Sequence, residues 1–309
     1  MQSALRPVHR WIQAYFLVQA FALVIWWGCL LWRPEWIDGF QPSAWPREVL
    51  RSFMLPDGLL LGVGSLLVAW SIQSRAAWST SAIWGVALAA WYPTLYCIAV
   101  SVQTGEAWIA SSMMVAMSGL SLALATVHGG TGSEAAPFHV VDWRFRKAVS
   151  WTFLQVLIFW GTFLWVLPMG VMELERQMGG VTFSHRGQSG IGMVVFGMAS
   201  ALGAWSALAM SWWGRGTPLP TATASRLVES GPYAWVRNPM ACAGIAQGFA
   251  VGWWMGSPLV LAYALLGGVV WHVCVRPVEE LDMLQRFGED YVEYQSRVGL
   301  WLPRWPRRR

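Results

Sequence analysis

Long uncharged stretches alternate with short clusters of charge along the whole of this chain. The uncharged stretches run over 11–32, 58–74, 76–105, 107–133, 148–172, 187–214 and 238–275. Each approaches or exceeds the roughly 20 apolar residues that cross a hydrocarbon layer about 30 Å thick, and the last suffices for two short crossings. Within them Leu, Val, Ala and Trp follow one another without strand-length alternation. Lipid offers the backbone no partner but itself, so the pattern predicts helices rather than a barrel. We expect about eight, near 11–32, 57–73, 78–101, 107–127, 148–169, 189–213, 240–255 and 259–275. The fold class is all-α: a polytopic integral membrane protein closed by a cytoplasmic, amphipathic helical tail. Residues 1–147 are expected to form an N-terminal four-helix membrane region with a cytoplasmic loop, and 148–309 the membrane core with that tail.

Composition agrees. Of the 309 residues 56% are hydrophobic and 12% charged, and 24 are Trp, several times the usage of a soluble globular protein. The first apolar run ends in bulky Trp32 and Arg33 without a small-residue cleavage pattern, so it reads as a retained helix rather than a removable signal. Cys29, Cys97, Cys242 and Cys274 all fall inside apolar runs without CxxC spacing. They signal neither a disulfide framework nor a zinc site, and no metal is expected. With the N-terminus in the cytoplasm, only Arg33, Arg47, Arg51, Arg176 and Arg186 of the 21 basic residues lie on the opposite face, and both termini are cytoplasmic by the positive-inside rule. The basic segment Trp143–Lys147, after a loop containing Gly129, Gly130, Gly132 and Pro137, reads as an anchor to anionic membrane lipids, not to nucleic acid. Gly62 and Gly64, in LLGVGSLL, follow no strand and read as helix-packing positions rather than a dinucleotide fingerprint. Nothing in the pattern specifies an oligomeric state.

The last apolar run is interrupted by Gly256-Ser257-Pro258, leaving two segments of about 16 residues, each about 24 Å long as a helix. Such a hairpin returns both ends to the same side, which brings the polar residues before it close to those after it. Before it lie Arg226, Glu229, Tyr233 and Arg237, a Gly231-Pro232 turn, and Asn238-Pro239, where the Asn side chain is expected to cap the helix start. After it come Arg276, Glu279 and Glu280. Beyond those, Leu281, Leu284, Phe287, Tyr291, Tyr294 and Val298 are spaced as one face of an amphipathic tail, divided near Gly288. Gly244, Gly248 and Gly252 form a GxxxGxxxG stripe that admits either a closely packed helix or passage of a ligand.

Taken together, SGPYAWVRNPMACAG, GSPLVLAYALL and VEELDMLQRFGEDYVEYQSRV, with GRGTPLP upstream, resemble the C-terminal signature of the isoprenylcysteine carboxyl methyltransferase and phospholipid N-methyltransferase superfamily, and most closely its bacterial isoprenylcysteine carboxyl methyltransferase-like branch. The resemblance covers about Arg215 to Trp301. It implies a multi-pass methyltransferase in a bacterial inner membrane, with S-adenosyl-L-methionine as donor and a lipidic or small apolar acceptor. Carried over by motif, Arg237, Asn238 and Pro239 match its Arg-His/Asn-Pro element, and Gly231, Pro232 and Tyr233 match the turn before it. Glu279 and Glu280 match its paired glutamates, Tyr291 and Tyr294 its tail aromatics, and His272 a polar position before the glutamates. Ala241 departs from the tyrosine usual two residues after the motif proline.

The resemblance thus implies a cofactor site made of these residues, with Arg237 and Glu280 central to catalysis. Arg237 is able to grip the donor's carboxylate, Glu280 to accept from its ribose hydroxyls or amino group, and the tyrosines to flank its adenine. A carboxylate acceptor is expected, and like a thiolate it requires no general base. An amine would, with Glu280 or His272 as the candidates. The remaining alternative is a transporter or scaffold that keeps the fold, although membrane-depth charges of the kind transporters use are sparse.

Overall fold

The computed structural model describes residues 2–130, 140–217 and 223–303. Gly132 and Pro137 of the loop, Pro218-Leu219-Pro220 of the upstream motif, and Arg304 and Arg307–Arg309 of the basic tail lie outside these residues, as do the side chains of Arg6 and Cys274.

The chain is an all-α polytopic membrane protein. Seven helical segments among the described residues are long and apolar enough to cross a membrane. Helix α1 covers Gln2–Trp32, α2 the span Arg47–Gln73, α3 Ser79–Thr104, α4 Trp108–Gly130, α5 the span Phe145–Gln177 and α6 Gln188–Trp213. The hairpin consists of α7, Pro239–Met255, and α8, Pro258–Val270. A π-helical turn, Trp271–Val275, then leads into α9, Arg276–Arg297. The eighth expected crossing is α7. Its 17 residues span about 25 Å and stop at Gly256, whereas α8 runs on continuously into α9, which explains the difference in count. The non-helical parts include one pair of two-residue strands, β1 (Val140–Val141) and β2 (Thr223–Ala224), running parallel.

The described residues form two compact units, Met1–Pro137 and Phe138–Arg309. The first has a core of Ile12, Phe16, Leu61, Val68, Ile83, Val86, Ala87, Ala90 and Ala125. Gly64 is a packing position as expected, since a Cβ there would meet Val86 Cγ2 at 2.9 Å. Small hydroxyls stitch its helices together. Thr94 Oγ1 donates to Ser118 Oγ at 3.1 Å and Ser101 meets Ser111 at 2.8 Å, the means by which apolar helices gain register where lipid removes the hydrophobic drive between them.

In the second unit α6 packs on α7, with Gln247 Nε2 donating to Ser200 Oγ at 2.9 Å. The tip of the α7–α8 hairpin is tightly specified. Gly256 turns the chain at φ 64°, a conformation that glycine adopts without strain. The Ser257 hydroxyl accepts from Val260 N–H as the N-cap of α8. Glu175, a buried carboxylate at the end of α5, accepts from the Ser257 hydroxyl and, at 3.2 Å, from Leu259 N–H. A carboxylate is favourable at a helix N-terminus because it faces unpaired N–H groups and the positive end of the helix dipole. Gln188 Nε2 completes the clamp by donating to Trp253 O at 2.7 Å. With its tip fixed, the hairpin delivers the start of α7 and the end of α8 to the same level.

The glycine stripe is a packing surface. A Cβ on Gly248 would approach Ala264 Cβ at 3.1 Å, one on Gly252 the Leu261 backbone N at 2.9 Å, and one on Gly244 the Phe159 ring at 3.3 Å. The two hairpin helices and α5 therefore occupy the space that a passing ligand would need, and of the two readings of this stripe packing is the one the structure bears out.

Candidate active site

The open end of the hairpin gathers the polar residues that flank it. Residues Gly231–Ala234 form a short 3-10 turn, started by Gly231 at φ 64° and by Pro232. The chain then enters α7 through Asn238 and Pro239. Asn238 occupies the N-cap position, but its side chain makes no capping hydrogen bond. Its backbone, at φ −128° and ψ 63°, makes only the first intrahelical bond, its carbonyl accepting from Cys242 N–H at 3.1 Å. The expected Asn side-chain cap is therefore corrected.

Arg237 Nη1 and Glu280 Oε1 lie 3.0 Å apart, and Arg276 Nη1 lies 3.1 Å from Glu280 Oε2. Their side chains are only 12% (Arg237), 17% (Glu280) and 25% (Arg276) exposed. Arg276 is itself held by the His272 carbonyl, which accepts from its Nε at 3.1 Å. The π-helical turn places that carbonyl, and such turns recur where a helix presents functional groups. Glu280 is thus bracketed by two guanidinium groups from opposite ends of the hairpin. Arg237 Nε and Glu280 Oε1 are nevertheless buried without a hydrogen-bond partner: the ion pair is close, but these two bonding directions are unused. Buried polar groups are rarely left so unless a ligand or water completes them.

The tail closes over this set. Tyr291, Tyr294 and Val298 are buried together, with Leu227, Met283, Leu284 and Phe287 packed against them. Leu281 is 58% exposed and does not belong to the inward face, because the face turns with Met283 and Leu284 instead. The division at Gly288 is present as a non-helical residue, φ 53° and ψ −125°, within α9. Tyr294 donates its hydroxyl to Tyr233 O at 2.7 Å, and the Tyr291 and Tyr294 rings lie 6.0 Å apart. Tyr291 is within electrostatic reach of Arg237 and Glu280. Beyond α9 the backbone returns, with Arg237 N–H donating to Gly299 O at 2.9 Å and Trp301 Nε1 donating to His272 Nδ1 at 3.3 Å. Burial, with Tyr294 and Glu279 nearby, pushes the Tyr233 phenol up, so it stays protonated and is no base.

The expected residues therefore divide. Arg237 and Glu280 meet directly, Tyr291 stands beside them, and Tyr294 joins the tail to the Gly231-Pro232-Tyr233 turn. Glu279 lies outside the ion-paired set, within electrostatic reach of Tyr233, and the His272 ring faces Trp301 rather than the glutamate. Three contacts were missed in the sequence, the first made by a residue already noted beside the glutamates. Arg276 stands four residues before Glu280, a spacing that itself signals a helical ion pair. Trp301 covers His272. Arg286 pairs with buried Asp282 at 2.7 Å and donates to Ala224 O at 2.6 Å, fastening α9 to β2.

Tyr294→Phe removes the bond to Tyr233 O and leaves a buried carbonyl unpaired, a loss of about 1–3 kcal/mol. The expected result is a lower unfolding midpoint together with weaker ligand binding at the Arg237–Glu280 pair, since the same bond holds the turn before Arg237. Unfolding followed by tryptophan fluorescence, with and without ligand, checks both. An unchanged midpoint would show that the tail is held by other contacts.

Two comparisons bear on this region. Residues 186–290 match the family model described as phospholipid methyltransferase. A methanethiol S-methyltransferase from Mycobacterium tuberculosis (strain ATCC 25618 / H37Rv) is 35% identical over 79 residues, which is 25% of this chain and 30% of that protein. The C-terminal region is therefore similar to methyltransferases over part of its length, and the chain spans less than a third of the curated relative it matches. The family match begins at Arg186, a whole helix before the motifs that carried the resemblance in the sequence.

Proposed function

We propose that the C-terminal unit transfers a methyl group from S-adenosyl-L-methionine to the carboxylate of a small or lipidic apolar acceptor. The observation that carries this reading is the buried Arg237–Glu280–Arg276 set, with Arg237 Nε and Glu280 Oε1 still lacking hydrogen-bond partners. An aminocarboxylate that also bears a ribose diol fits that chemistry: Arg237 Nε is a donor for its carboxylate, and Glu280 Oε1 an acceptor for its amino or hydroxyl groups. Tyr291 offers an aromatic face, while the Tyr294 hydroxyl is already used on Tyr233 O. When bound, the donor supplies an electrophilic methyl group on a sulfonium centre.

The residues act by positioning. Arg276 holds Glu280, Glu280 orients Arg237, and the tail excludes water, so that an acceptor's electron pair is aligned with little further ordering. A carboxylate is already nucleophilic and leaves no proton to be removed. Glu280, with one oxygen at each guanidinium, is better suited to binding than to proton transfer. In this reading the open end of the hairpin faces the cytoplasm, where a charged donor is dissolved, and the acceptor arrives from the bilayer.

A second reading, transfer to a thiol, is favoured by the partial similarity to a methanethiol S-methyltransferase. Incubating the purified protein in nanodiscs with methyl-labelled donor and, in turn, dodecanoic acid, dodecanethiol and dodecylamine separates the two. Labelled methyl ester is the expected product. Methyl thioether alone would select the thiol reading, and labelled amine alone would overturn the base-free account.

A further inference from the structure

We infer that the N-terminal unit holds a second binding site, a cavity for an uncharged long-chain molecule carrying a hydroxyl head. The inference is independent of the methyl-transfer reading, because every residue lining the cavity lies in the unit Met1–Pro137. The cavity measures about 470 Å³, within the range of small-molecule sites. Its walls are largely apolar and aromatic, including Trp26, Trp45, Phe53 and Met117, and among the described residues no Lys or Arg lines it. An anionic head group would find no countercharge there, which disfavours phosphate and carboxylate heads as the occupant.

Among the polar side chains in these walls, Gln41 is satisfied by Trp45 O and Leu50 N–H, Gln19 has an amide end to spare, and Asp57 stands beside the Trp27 side chain. Gln19 is 5% exposed. Its Oε1 accepts from Ser121 Oγ at 3.1 Å, and Ser121 is in turn placed by Tyr15 Oη at 2.8 Å. Its Nε2 is buried without a hydrogen-bond partner. Whichever way the amide is turned, Ser121 satisfies one end and the other remains open. A buried amide left half-bonded in an apolar wall costs about 1–3 kcal/mol, a cost that a ligand head group would remove. Asp57 begins the π-helical turn Asp57–Val63 inside α2. A carboxyl group within a membrane span, facing a cavity, marks a functional position by default, and π-helical turns recur at such positions. A hydroxyl is the smallest uncharged head that both accepts from an amide N–H and donates to a carboxyl oxygen. The surrounding aromatic walls then suit a hydrocarbon chain.

The test uses the full chain in nanodiscs with three photoreactive probes, dodecanol, dodecane and dodecylamine, each carrying a diazirine at mid-chain, and maps adducts by mass spectrometry. Dodecanol is expected to label peptides spanning 15–27 and 93–117, and excess plain dodecanol to displace those adducts while leaving adducts on lipid-facing helices unchanged. Gln19→Leu should reduce dodecanol labelling of these peptides about fivefold or more, the worth of one hydrogen bond, and leave dodecane labelling as it was. Ala22→Trp, which fills the cavity, should abolish both. The inference is overturned if plain dodecanol displaces nothing, if dodecane labels wild-type protein as strongly as dodecanol, or if dodecylamine labels more strongly than either. The competition experiment on wild-type protein decides the matter even if a variant fails to fold.

Discussion

Arg237→Ala is expected to lower methyl-transfer kcat/KM by about tenfold or more, and Glu280→Gln to do the same, while Arg186→Ala leaves it near the wild-type value. Arg237 and Glu280 are mutually paired and largely buried, and each has a bonding direction left for ligand. Loss of a charge-assisted, partly desolvated contact costs about 1.5–3 kcal/mol. Arg186 is exposed and serves as the control. Because Arg276 also holds Glu280, the Arg237 variant does not strand a lone buried carboxylate, so its defect should fall on ligand binding more than on folding. The double variant should lose less than the sum of the two singles, since the residues act as one unit. Wild-type rates in both single variants, at matched expression and folding, would place the chemistry elsewhere.

Gly252→Val is expected to be the most damaging change on the hairpin. A Cβ at Gly252 would meet the Leu261 backbone N at 2.9 Å and the Val260 carbonyl carbon at 3.1 Å, and backbone cannot swing aside as a side-chain tip can. The helices must separate, at a cost of about 1–3 kcal/mol or more. Separation also moves Arg237 away from Glu280, so ligand affinity should fall with stability. Gly267→Ala is the comparison, because nothing lies within 4 Å of a Cβ built there. Thermal unfolding in one detergent checks the pair, and equal midpoints for the two variants would show that the close approach of α7 and α8 does not support the fold.

The sequence carried the fold class well because its signal is local: an uncharged run of sufficient length must be a helix in lipid. The hairpin was legible for the same reason, through Gly256, Ser257 and Pro258, and its geometry made the meeting of Arg237 with the glutamates foreseeable. Spacing alone does not distinguish the two glutamates, whereas the family resemblance singled out Glu280, the one that meets Arg237. Glu279 and Glu280 differ by one residue, about 100° around a helix, and the π-helical turn at Trp271–Val275 shifts the phase by an amount that no apolar pattern records. Leu281 points outward because steps of three residues drift around a helix by about 60° each, so Leu281 and Phe287 do not share one face. Gly248 and Gly252 carry one sequence signature for packing and for passage, and only the positions of Ala264 and Leu261 distinguish them. Contacts between distant segments, such as Glu175 with Ser257 or Trp301 with His272, depend on tertiary geometry and leave no mark in local spacing. Gln19 was equally silent, since one Gln within an apolar helix reads as tolerated polarity until its unpaired amide is found on a cavity wall.

The account rests on the buried Arg237–Glu280–Arg276 set being a donor site, and titration with S-adenosylhomocysteine reads that most directly. Purified protein in nanodiscs should show a saturable rise in unfolding midpoint, corresponding to about 2.7 kcal/mol of stabilisation at a hundredfold excess over Kd, and the rise should be lost in Arg237→Ala. A well-folded wild-type protein whose midpoint does not move at any ligand concentration would contradict the account.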